Sequence, residues 1–154
     1  MNGRLLNKKL HNQLGFTLLE LLVVIAVIGV LASLAVPRLQ SQVQKARFLD
    51  VINSTSTYKS GVELCAQRNN ALATCITGAG ADLNMPAANL IVNTNVNSQS
   101  VALDGTNVVI TATGTTASSN GAAALTYTLT GTLNAGNLTW ATGGTCAAQG
   151  FCNN

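Results

Sequence analysis

The sequence predicts an α+β fold: one long N-terminal helix whose second half packs on a small antiparallel sheet. Three observations predict it. Residues 16–37 form an apolar run broken by a single charge, Glu20. Residues 38–67 place apolar side chains at helical spacing. The C-terminal half alternates apolar and hydroxyl side chains at period two.

The apolar run comes first along the chain. From Leu21 to Ala32 every residue is apolar, counting Gly29. As a helix, 22 residues span roughly 33 Å, enough for a bilayer core of about 30 Å. A buried core helix is the competing reading, and the run is too long and too uniform for it. Pro37 lacks the N–H that would bond the Ser33 carbonyl, and Gly29 weakens a helix by ~1 kcal/mol relative to alanine. The stretch from Gly29 to Pro37 is therefore where this helix is expected to bend or lose bonds most readily.

The second half of the helix follows without a proline and with one glycine, Gly61. Phe48, Ile52, Thr55, Tyr58, Val62 and Cys65 recur at steps of three or four and share one face. Arg47, Asp50, Asn53, Lys59 and Glu63 lie on the other. One continuous helix over residues 16–67 is expected, its stripe packing on a head domain.

Residues 75–89, CITGAGADLNMPAAN, read as a loop. Four short strands follow: Leu90-Ile91-Val92, then NVVITAT from Asn107, then the alternation of Leu125, Tyr127 and Leu129 with threonines, then Leu138 and Trp140. Asn134-Ala135-Gly136 reads as a hairpin turn between the last two. The inward face would be Leu125, Tyr127, Leu129, Leu138 and Trp140.

Charge and cysteine usage exclude several function classes. The net charge of +3 owes much to Arg4, Lys8 and Lys9, which precede the apolar run. After Arg68 only Asp82 and Asp104 are charged. That is a poor footprint for nucleic acid in one subunit, although a polymer would present Arg38, Lys45 and Arg47 as a basic stripe. Acid–base catalysis needs a positioned titratable pair, and beyond His11 the chain has no histidine and few carboxylates. No enzyme, cofactor or metal site is expected. Cys65, Cys75, Cys146 and Cys152 lack zinc-type spacing and read as two disulfides. Of the three pairings, Cys65–Cys75 with Cys146–Cys152 is favoured; the competing reading is free, buried thiols.

Lysine and arginine flank both ends of the apolar run equally, so they leave its orientation open. The cysteines decide it, because disulfides place the C-terminal side outside the cytoplasm. Ala32-Ser33-Leu34-Ala35 passes weakly for a secretory cleavage site. The run is too long for a signal core, however, and carries a carboxylate where signal peptides are basic.

Gly15-Phe16-Thr17-Leu18-Leu19-Glu20, with a basic leader before it and an apolar helix after it, resembles the N-terminus of type IV prepilins. The resemblance covers about the first 50 residues. It implies a pilin-like fold in which a prepilin peptidase cuts between Gly15 and Phe16 and methylates the new N-terminus at Phe16. The organisation is then a cleaved leader over 1–15, a transmembrane and assembly helix over 16–37, its amphipathic continuation over 38–67, and a disulfide-stapled β-rich head over 68–154. A 15-residue leader is long for the subclass that starts with Phe, to which the chain is assigned.

Glu20 gains a reason from this resemblance. A carboxylate at a helix centre in lipid costs on the order of 2.5–3.5 kcal/mol. Cleavage would create an ammonium at Phe16, one helical turn from Glu20 on the same face, to pair with its own Glu20 or with that of a neighbouring subunit. A subunit docked out of register would leave a buried charge unpaired. The implied function is a structural subunit that polymerises into an extracellular filament for attachment, twitching motility or DNA uptake. Its partners would be copies of itself, the membrane, the peptidase and the pilus assembly machinery, with a surface receptor or DNA left open. Precursors would reside in the inner membrane and mature subunits on the cell surface. The alternatives are a type II secretion pseudopilin, or a minor tip pilin acting as an adhesin.

Overall fold

The computed structural model describes residues 16–78, 81–82, 84–119, 121 and 124–152. The leader, with Gly15, lies outside the described residues. The chain divides into two units, Met1–Arg38 and Leu39–Asn154, and a helix α1 (Leu18–Asn69) contributes to both. Four strands follow, β1 (Val96–Asp104), β2 (Asn107–Gly114), β3 (Thr126–Asn134) and β4 (Asn137–Gly143), and then a one-turn helix α2 (Thr145–Ala148).

The helix begins and ends two residues later than the expected 16–67, for local reasons. Thr17 caps its start, as described below. Asn70 ends it with φ of 48°, a left-handed conformation that asparagine tolerates at a helix C-terminus. The helix continues through Pro37.

The sheet is a meander in the order β1-β2-β3-β4, every neighbour antiparallel. Asn134 pairs with Asn137 across Ala135-Gly136, whose φ values of 48° and 81° are both positive. That is the expected hairpin turn, with the glycine where the backbone needs it. β1 and β2 are joined by a second tight turn at Gly105, φ 63°.

The first strand departs from expectation. Residues 90–92 form no strand; the first strand is Val96–Asp104 instead. The Gln99 side chain accounts for the difference. Its amide accepts from the Ile91 N–H at 3.2 Å and donates to the Ile91 carbonyl. One side chain thus supplies the two bonds that a neighbouring backbone would supply in a ladder. The α2 turn was not anticipated either.

The core of the second unit lies between one face of α1 and one face of the sheet. It contains Phe48, Val51, Tyr58, Val62 and Cys65 from the helix, Val101, Val108, Ile110, Leu125, Tyr127 and Leu129 from the sheet side, and Leu138 and Trp140 at its margin. The helical stripe is wider than predicted, since Val51, Ser54 and Ala66 are buried as well. The buried Ser54 hydroxyl donates back to the Val51 carbonyl at 2.7 Å, so it carries no unmet hydrogen bond.

Both disulfides are present, Cys65–Cys75 and Cys146–Cys152. The first ties the end of α1 to the following loop. The second closes a loop that sets Phe151 edge-on against Phe48, with ring centroids 5.7 Å apart. The loop after Cys75 is held by Asp82, which accepts from Arg68 at 2.5 Å and from Asn69 at 3.2 Å. It also crosses α1 at Gly61, where an added Cβ would stand 2.7 Å from Pro86 Cδ.

Candidate functional site

The start of α1 is built by residues 16–21. Phe16 and Thr17 are not helical, and Leu18 is the first helical residue. Thr17 is the N-cap: its carbonyl accepts from the Leu21 N–H at 3.3 Å, and its Oγ1 accepts from the Glu20 N–H at 3.2 Å. Glu20 is the third helical residue, so Thr-x-x-Glu forms the pattern of a capping box. Phe16 and Leu21 occupy the two positions of a hydrophobic staple around it. Glu20 is thus part of a cap as well as a charge in need of a partner, and T-x-x-E before an apolar run is the sequence signature of that cap.

This geometry revises one premise. Phe16 precedes the cap, so Phe16 and Glu20 are not two helical positions one turn apart. Among the described residues no hydrogen bond or ion pair engages the Glu20 carboxylate. Its place in the first turn is electrostatically favourable, because the helix N-terminus carries partial positive charge.

Beyond the cap, α1 has no buried face as far as Val36. Every large apolar side chain from Phe16 to Val36 is at least 46% exposed. A helix that packed on its own domain would bury one stripe. A surface this apolar needs a cover of lipid or of other apolar helices. The segment is long and apolar enough to cross a membrane. Ser33 does not spoil it, since its hydroxyl donates to the Val30 carbonyl at 2.7 Å. Gly29 has nothing within 4 Å of an added Cβ, so packing within the chain does not require a glycine there. Among the described residues no group of three or more histidines, cysteines or acids could hold a metal.

Residues 10–36 match the family described as the prokaryotic N-terminal methylation motif. The chain is 38% identical over 69 residues to the type IV pilus subunit protein TapA of Aeromonas hydrophila, covering 45% of this chain and 49% of that protein. It is 35% identical over 129 residues to the fimbrial protein EcpC of Eikenella corrodens, covering 83% of this chain and 80% of that one. This chain belongs to the type IV pilin family. A third pilin-like relative is the type II secretion system core protein G of Aeromonas hydrophila, 37% identical over 78 residues. That match covers 51% of this chain and 54% of the relative. The pilin thus spans about half the length of TapA and of core protein G, and most of EcpC.

Proposed function

We propose that this pilin is a structural subunit that polymerises through residues 16–37 into an extracellular type IV filament. The observation that carries the reading is the apolar start of α1, exposed on every side. In the precursor its cover is the inner membrane; in the filament, the same segment of neighbouring copies. The leader, residues 1–15, is removed by prepilin peptidase between Gly15 and Phe16, and the Phe16 amine is methylated. The freed amine then meets the Glu20 carboxylate of a neighbour and fixes the axial register. Gly29 and Pro37 are the points where helical bonds are given up on docking. The subunit does no chemistry of its own; residues 38–67 and 68–154 form the head that packs on the filament surface.

Two measurements test this. Mass spectrometry of the mature chain should find Phe16, carrying one added methyl, as the first residue. Electron microscopy of sheared surface fibres should find the chain as their main component. A chain that still begins at Met1, or begins at Val36, sinks the proposal.

A pseudopilus subunit is the second reading, favoured by the likeness to core protein G. The longer EcpC match favours a pilus subunit over most of the chain, and abundance in long surface fibres separates the two.

A further inference from the structure

A cleft of about 170 Å³ lies between the end of α1 and the β3–β4 turn. Its wall on the helix side is Glu63 and Gln67, one turn apart, and Asn70 reaches its edge, with Oδ1 3.9 Å from where a Cβ on Gly136 would stand. Its wall on the sheet side is Asn137, and Leu133 and Leu138 give it an apolar floor.

One charged group here is fixed in place by the fold. Glu63 Oε1 accepts from Trp140 Nε1 at 3.0 Å and lies 4.0 Å from Lys59 Nζ, which in turn stands 5.7 Å from the Trp140 ring centroid. The carboxylate is thereby oriented through one oxygen and keeps the other for a ligand. Among the described residues, the side-chain amides of Gln67, Asn70 and Asn137 make no hydrogen bond. Two amides, those of Gln67 and Asn137, and one oriented carboxylate therefore line one small cleft, with the Asn70 amide at its edge.

We infer that this cleft binds a small neutral sugar. Amides donate and accept at once, as sugar hydroxyls do, and the free Glu63 oxygen accepts from a hydroxyl. The apolar floor suits the C–H face of a pyranose ring. An anionic ligand would meet Glu63 and be repelled. A metal ion would find one carboxylate where hard cations need several oxygen ligands. The inference does not depend on polymerisation.

The test uses the full chain in micelles of a detergent without a sugar headgroup. Saturation-transfer NMR is run with glucose, galactose, mannose and their N-acetylated forms. At least one should receive saturation on its ring protons, with a Kd on the order of 1 mM. In the double variant Gln67→Ala/Asn137→Ala the signal should fall roughly tenfold, the loss expected for about 1.4 kcal/mol of binding. Both residues are exposed and, among the described residues, make no side-chain hydrogen bond, so an unchanged amide spectrum will confirm the fold. Glu63→Gln, which keeps an acceptor for Trp140, should weaken binding less. No transfer to any sugar, equal transfer in the double variant, or binding of methylamine in place of every sugar overturns the inference.

Discussion

Thr17 Oγ1 accepts a hydrogen bond from the Glu20 backbone N–H at 3.2 Å, so the residue that starts α1 and the charge inside its apolar run belong to one cap. Glu20 therefore has two candidate duties, capping its own helix and pairing with an amine. Glutamine separates them, because it serves in a capping box as well as glutamate does but carries no charge. Glu20→Gln should leave amide exchange in the first turn close to wild type, yet few fibres should reach the surface. Thr17→Ala should do the reverse at the helix start, costing about 1 kcal/mol of local stability, with Thr17→Ser restoring it. Wild-type fibre counts from Glu20→Gln would sink the charge-pairing role and leave the cap alone.

Asp82 sets the acid tolerance of the loop after Cys75. The Asn84 backbone N–H, then the Arg68 guanidinium, then the Asn69 and Asn84 side-chain amides hold its carboxyl well below the usual carboxylate range. A depressed folded pKa means that the stabilisation is present above the unfolded value, near 3.8, and is lost as pH falls towards the folded one. Amide protection factors in residues 84–89 should therefore fall as the pH drops below about 4. Asp82→Asn should show faster exchange already at neutral pH and a flatter pH response. Identical pH profiles for the two chains would contradict this role.

What could be read from the sequence, and what could not, divides by how far apart the contacting residues lie. The helical stripe from Phe48 to Cys65 and the alternation of Leu125, Tyr127 and Leu129 are period signals, and both survive in the fold. The turn at Asn134-Ala135-Gly136 is equally local. The first strand was misplaced because Leu90-Ile91-Val92 looks more strand-like than VNSQSVALD, and only Gln99, eight residues from Ile91, shows why. Gly61 was visible as an isolated glycine in a helix, but its neighbour Pro86 was not. The converging amides of Gln67, Asn70 and Asn137 join segments about 70 residues apart, and no spacing announces them.

Gly61 makes room for the loop crossing. Alanine gains about 1 kcal/mol over glycine in a helix interior, whereas overpacking typically costs about 1–3 kcal/mol. The added Cβ would stand 2.7 Å from Pro86 Cδ and 3.6 Å from Met85 Sδ, so crowding should win. Gly61→Ala is expected to lower the melting temperature by a few degrees, a net loss of about 1 kcal/mol. Adding Pro86→Ala should recover the loss, since the ring that crowds the new methyl is gone. A higher melting temperature for Gly61→Ala alone would mean that the loop yields freely at this point.

Gln99 is almost fully buried, and its bonds fix the segment that looked like a strand. Besides Ile91, its Oε1 lies 3.4 Å from the Tyr58 hydroxyl, and that hydroxyl donates to the Ala87 carbonyl at 2.8 Å and accepts from the Leu90 N–H at 2.9 Å. One amide and one phenol thus hold residues 87–91 against the helix and β1. Gln99→Leu keeps the volume and removes the amide, leaving the Ile91 N–H and carbonyl without partners in a half-buried place. The expected cost is about 1–3 kcal/mol. Tyr58→Phe should act on the same segment, and because the two side chains share one network, the double variant should cost less than the sum of the singles. Strict additivity in thermal unfolding would show that the two residues hold the segment independently.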